Sequence, residues 1–153
     1  MKKQIFALIL AVGIIAGCTS TPTNIADITG REWKLLEVFI DGEFNREVLF
    51  DRRDLAALGV SDFYTLSFDG EMMYGTGAPN RYSAPYTLGG GQSISVMLIR
   101  STLMATFLEP ERLPEHEFFG YMQNVYEWRI VNNNLELFSR TDDGRNIRLV
   151  FGP

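Results

Sequence analysis

Asp69-Gly70 stands between "DFYTLSF" and "EMMYGTG", two runs with the alternating, aromatic and β-branched character of strands. An Asp-Gly pair accepts positive φ at little cost, so this stretch reads as an antiparallel hairpin closed by a type I′ turn. A hairpin cannot stand alone in water and needs further strands to bury its apolar face. The rest of the chain supplies them. In "REWKLLEVFI", Leu36, Val38 and Ile40 share one face while Trp33 is out of phase, which predicts a strand with a bulge or a late start, turned by Asp41-Gly42. "YSAPYTL" and "SISVML" flank Gly89-Gly90-Gly91, with Ile94, Val96 and Leu98 alternating. Tyr126, Trp128 and Ile130 alternate before Asn132-Asn133-Asn134, "LELFS" runs back, and Ile147, Leu149 and Phe151 alternate after Asp142-Asp143-Gly144.

Two segments break the period of two. "DRRDLAALG" reads as a brief helix with Asp51 as N-cap and Gly59 as its stop. Between 114 and 125, Pro114 suits a first helical position and Glu115 and Glu117 suit the positive helix end. Phe118, Tyr121, Met122 and Val125 then fall at i, i+3, i+4 and i+7, an apolar stripe that must be buried. Successive hairpins imply antiparallel pairing. The expected class is α+β: a curved antiparallel sheet or partial barrel with one main helix packed against it. Trp33, Phe68, Phe118 and Trp128 are expected in its core.

The N-terminus is of another kind. Lys2 and Lys3 precede Ile5–Gly17, thirteen residues without charge or proline. That is the pattern of a secretory signal and falls short of the about 20 residues of a membrane-spanning helix. Ile15-Ala16-Gly17-Cys18 resembles the lipobox of bacterial lipoproteins, in which the chain is cut before a cysteine whose sulfur carries diacylglycerol. The resemblance implies removal of residues 1–17, lipid attachment at Cys18 and a membrane partnership through acyl chains, which together hold a protein where one alone does not. The alternative is an ordinary signal cut elsewhere. Residues 18–29, with Thr19-Ser20-Thr21-Pro22-Thr23-Asn24, read as a flexible tether and residues 30–153 as one folded domain. Thr19 in place of Asp after Cys18 implies, by a sorting rule resembling that of enteric bacteria, an outer-membrane address facing the periplasm.

The whole chain has 14 Lys+Arg against 19 Asp+Glu; without Lys2 and Lys3 the balance is 12 against 19, a net charge of −7. The eleven arginines are scattered from Arg31 to Arg148 without a run. An acidic domain with no basic patch repels phosphate backbones, so nucleic-acid binding is disfavoured. With 46% apolar residues and eleven phenylalanines the core can be substantial without a disulfide, and Cys18 is the single cysteine.

"GREWKLLEV", "YGTGAPNRYSAPYTL", "ISVMLIRSTLMATFLEPE" and "YEWRIVNNNLELFS" with "GRNIRLVF" resemble, in order and spacing, the META domain of HslJ-type heat-shock proteins and related bacterial lipoproteins. The resemblance spans about residues 30 to 151. It implies a small envelope or secreted domain, linked in several members to stress or drug tolerance, with no established enzymatic reaction. Many such domains carry Gly-Cys-Asn where this chain has Gly77-Ala78-Pro79-Asn80, and a cysteine where it has Thr106 after Thr102-Leu103-Met104-Ala105. Both cysteines are missing together, which implies that they form a dispensable structural pair. Thiol chemistry is excluded for the folded domain.

Candidate chemistry is sparse. His116 is the only histidine and lies between two glutamates at a helix start; a metal needs three or four ligands in defined geometry, so neither metal nor cofactor is expected. No Gly-x-Ser-x-Gly elbow supports a triad. "GTGAPN" opens no helix, so its glycines read as turn residues. Asn80, Arg81 and Tyr82 are the candidate partner-binding residues, with a turn role for Asn80 as the alternative. The resulting expectation is a lipid-anchored, noncatalytic envelope protein with an interaction or maintenance role and an envelope protein as partner. A small-ligand binder using the open end of the sheet is the second reading. A hydrolase using Glu109, Glu111, Asp51 or Asp54 as acid and base is the third.

Overall fold

The computed structural model describes residue 26, residues 28–42 and residues 45–153. Cys18, the signal and most of the tether lie outside the described residues. These residues form ten strands and two helices: β1 (Glu32–Asp41), β2 (Arg46–Asp51), α1 (Arg53–Leu58), β3 (Thr65–Asp69), β4 (Met72–Thr76), β5 (Arg81–Leu88), β6 (Ile94–Val96), β7 (Arg100–Ser101), α2 (Glu115–Gln123), β8 (Glu127–Val131), β9 (Asn134–Arg140) and β10 (Asn146–Gly152).

Every strand pair is antiparallel, in the order β6-β5-β4-β3-β1-β10-β9-β8, with β2 added on β1 and β7 on β5. The sheet curls until its ends meet. The Ile94 amide donates to Tyr126 O at 3.1 Å and the Trp128 amide to Gln92 O at 2.9 Å, with Ser93 opposite Glu127. The result is a nearly closed barrel, the arrangement that leaves fewest unpaired edges.

The bulge in β1 is real. Its pairing with β10 shifts between Leu35 and Glu37, so Trp33 and Leu35 point inward before it and Val38 and Ile40 after it. Leu36, expected with the second set, is instead the half-buried residue at the shift and rests its side chain over Gly152. The β3–β4 hairpin also differs by one position. Its loop residues are Gly70 and Glu71, because Asp69 pairs with Met72, and only Gly70 takes positive φ, at 49°. A type I′ turn needs two such residues. The β8–β9 turn has them, Asn132 at 51° and Asn133 at 65°.

Trp33, Phe68, Phe118 and Trp128 are all buried, in a core that also takes in Ile28, whose carbonyl accepts the Trp33 indole N–H at 2.9 Å. In α2, Phe118, Tyr121 and Met122 are buried, and the Phe118 ring lies 4.9 Å from Tyr64 and 5.9 Å from Tyr82. The stripe is as expected, although the helix ends at Gln123 and Val125 is buried from the loop beyond. Helix α1 stops at Gly59 in the left-handed region, but its N-cap is Arg52 rather than Asp51, which ends β2 and accepts the Arg53 amide at 2.9 Å. Leu98 does not extend β6: it is 74% exposed.

Candidate functional site

Between β7 and α2 the chain runs through residues 102–114 with no regular element. Such a length without secondary structure is uncommon in a compact domain and is characteristic of functional loops. Its first half carries no charge and is mostly apolar, with its large side chains held in water. Leu103 is 99% and Phe107 104% exposed, with Met104 and Leu108 about half exposed beside them. Isolated exposed leucines are ordinary, whereas several on one loop make a candidate contact surface.

The loop is nonetheless fastened. Asn80, buried after β4, uses all of its amide: Oδ1 accepts the Thr102 hydroxyl at 2.8 Å and the Met104 amide at 2.6 Å, and Nδ2 donates to Met104 O at 3.0 Å and Glu115 Oε2 at 2.6 Å. Glu115 is the second anchor. Its Oε1 accepts the Ala78 amide at 2.5 Å and the Asn80 amide at 2.7 Å, across 37 and 35 residues of chain. Its own amide donates to Glu109 Oε2 at 3.0 Å, which closes the loop on itself. Gly77 makes this approach possible, since a Cβ there would lie 2.6 Å from Glu115 Oε1 and 2.8 Å from the Phe119 ring. Ala78–Pro79 is a cis peptide.

Two hollows flank the loop. One, of about 370 Å³, lies between β2, α1 and residues 109–112. Leu49, Ala57, Leu58 and Pro110 line it with apolar surface, and Asp54, Glu109, Glu111 and Arg112 supply its charges. Arg112 is already paired with Glu47. The other, of about 300 Å³, is bounded by Ala78, Pro79, Met104, Ala105, Thr106, Glu109, Glu115 and His116. The positions at which the resemblance implies cysteines, 78–79 and 106, thus line one hollow from its two sides.

Of the three residues expected to meet a partner, Asn80 and Tyr82 are 4% and 3% exposed, and Arg81 alone faces solvent. The Tyr82 hydroxyl donates to Thr65 O at 2.8 Å, and burial pushes it well above the usual tyrosine range. Tyr64 is raised likewise, by burial first and then by Glu109 and Glu115; its hydroxyl donates to Leu113 O at 2.5 Å. Tyr64 also holds φ at 54°, a conformation costly for a bulky side chain, immediately before β3.

The four acids considered for catalysis separate. Asp54, Glu109 and Glu111 gather at the larger hollow, whereas Asp51 is bound to Arg53, whose hydrogen bonds draw its carboxyl down to about 2. His116 is exposed and lies 3.8 Å from Glu117. Among the described residues no three His, Cys, Asp or Glu side chains are grouped to hold a metal ion. No helix among the described residues is long and apolar enough to cross a membrane.

The META domain sequence model matches residues 26–150. No curated protein matches the chain. Two solved structures are similar in fold, each with a TM-score of 0.54. One is the crystal structure of a DUF4847 family protein from Bacteroides vulgatus, 13% identical, covering 80% of this chain and 92% of that one. The other is the NMR structure of a protein from Burkholderia xenovorans, 17% identical, covering 99% of both chains.

Proposed function

The chain belongs to the META domain family, and from that premise we propose that it is a lipid-anchored, noncatalytic interaction module of the bacterial cell envelope. The observation that carries the interaction part is the pair Leu103 and Phe107, fully exposed on a loop held from beneath by Asn80 and Glu115. Free apolar side chains cost solubility, and a loop fixed in advance loses less entropy when it binds. Partner contact through this tip accounts for both.

The noncatalytic part rests on how the acids are used. Asp51 is bound to Arg53 and Glu109 to the Glu115 amide, while Asp54 and Glu111 stand in solvent. Acid–base catalysis by carboxylates needs two groups whose surroundings set them apart, with one ready to give or take a proton at a substrate. The anchoring part rests on the charged start, the thirteen-residue apolar run and the lipobox-like residues ending in Cys18. An outer-membrane site facing the periplasm follows the same reading.

Two experiments test it. Cells fed a fatty-acid analogue should label the native chain and not Cys18→Ala; equal labelling refutes the anchor. A photo-crosslinking amino acid at position 107 in intact cells should capture one reproducible protein, with position 81 as the neighbouring comparison and position 87, on the exposed face of β5, as the blank. Equal capture from 107 and 87 refutes the interaction surface.

A further inference from the structure

We propose that the hollow between β2, α1 and residues 109–112 receives a short stretch of partner polypeptide in which an apolar side chain stands next to a lysine or arginine. The inference rests on the interaction reading above and names the chemistry of the partner.

The hollow has the make-up of a side-chain receptor. Its volume of about 370 Å³ lies near the lower end of the roughly 300–1,000 Å³ typical of binding pockets, which suits one or two side chains better than an extended ligand. Leu49, Ala57, Leu58 and Pro110 offer it an apolar floor. Leu58 is 39% exposed, so that floor is not closed over by the domain itself. The occupant must therefore bring apolar surface.

Charge selects among apolar occupants. Asp54, Glu109 and Glu111 border the hollow, and its one cation, Arg112, is engaged by Glu47. The unanswered charge is negative, and so is the domain as a whole. An anionic bilayer is repelled by both, whereas a basic group beside an apolar one is drawn in by the border while its neighbour fills the floor. The hollow is also continuous in sequence with the apolar tip: Leu108, the last residue of the tip, precedes Glu109, the first of the wall. A protein surface covering Phe107 thus lies within reach of the hollow, and the two contacts reinforce each other as linked sites do.

The test uses the full chain in nanodiscs of neutral phosphatidylcholine, with empty nanodiscs as blank. Three fluorescent octapeptides serve as probes: alternating Leu-Lys, alternating Leu-Glu and alternating Ser-Lys. Leu-Lys should bind saturably and the other two weakly. Ala57→Trp, which fills the hollow from an exposed helix position, and the pair Asp54→Lys with Glu111→Lys should each weaken Leu-Lys by about tenfold or more, the size of one lost contact of about 1.4 kcal/mol. Thr87→Lys, at an exposed position of β5, should leave it unchanged. Melting curves matching the native protein show that the variants fold. The assignment is overturned if Ala57→Trp binds Leu-Lys normally, or if Ser-Lys binds equally well. Its failure stays distinct from that of the interaction reading. Protein capture from position 107 with unchanged probe binding in Ala57→Trp removes the hollow alone. Capture of lipid alone from position 107 gives the surface to the bilayer and removes both.

Discussion

Replacing Asn80 by alanine tests whether the loop is held by side-chain hydrogen bonds or by its own packing. The substitution removes four bonds: the Thr102 hydroxyl and Met104 amide lose their acceptor, and Met104 O and Glu115 Oε2 lose their donor. A neutral bond contributes about 1 kcal/mol net and one to a charged group about 2 kcal/mol, so the four sum to about 5 kcal/mol. Thr102 and Met104 are exposed, and their freed groups regain water. The net loss expected is about 3 kcal/mol, which for a domain of this size lowers Tm by about 10 °C. Urea unfolding should report it as a lower midpoint at unchanged slope. Hydrogen exchange should show the Met104 amide unprotected, whereas β1 and β10 lose only the global share. Asn80→Asp is the sharper variant. It sets a second carboxylate where a donor now meets Glu115 at 2.6 Å, so it should be worse than alanine at neutral pH and recover as acid protonates one of the pair. A loss below about 1 kcal/mol for Asn80→Ala, or equal stability of the two variants at neutral pH, refutes the reasoning.

Three further outcomes are expected. Gly75→Ala should cost about 3 kcal/mol or more, or abolish folding, because its Cβ would stand 2.0 Å from Thr65 O; a melting curve decides, and a mild effect would mean that the β3–β4 pair slides freely. Leu103→Ser with Phe107→Ser should change stability by no more than about 0.5 kcal/mol, since both side chains are already in water; a large loss in urea unfolding would show that the tip packs on the domain. Alkali should unfold the protein. Tyr121 is raised from 10.0 to about 12 by burial and then by Glu117, and burial raises Tyr64 and Tyr82 as well. The folded state thus disfavours tyrosinate: stability is complete below pH 10 and falls as pH rises from 10 through 12. Tyrosinate absorbance should appear together with loss of the near-ultraviolet signal; tyrosinate forming at lower pH in the intact fold would contradict this burial.

What the sequence made legible was the part governed by local rules. Gly70 announces a hairpin because only a turn uses its φ, yet the pairing of Asp69 with Met72 moved the turn by one residue, and pairing is a property of two strands. Trp33 out of phase with Val38 announces the bulge, but which of Leu35 and Leu36 turns inward depends on β10. "REVLFD" has no clean alternation, and β2 is a strand only because β1 pairs with it. Glu115 was legible as an acid suited to a helix start. Its larger role, gathering Ala78 and Asn80, has no signal within the sequence, because the partners lie more than thirty residues away. The same holds for Leu103 and Phe107: an apolar run reads alike whether it faces the core or water.

The fastening of the loop and its exposure are two sides of one arrangement. An apolar tip with nothing beneath it would collapse onto the domain, since burying one such side chain yields about 1.5–3 kcal/mol. Holding it out therefore requires an opposing tie of similar size. The resemblance implies a structural pair of cysteines at positions 78–79 and 106 in many META domains, and a disulfide contributes about 2–4 kcal/mol. Here Pro79 and Thr106 face the same hollow without sulfur, and the tie runs instead through Asn80 to Met104 and Glu115. The hydrogen-bonded tie, at about 3 kcal/mol net, falls in the same range. A chain that holds its loop this way keeps the tip presented whether its surroundings are oxidising or reducing.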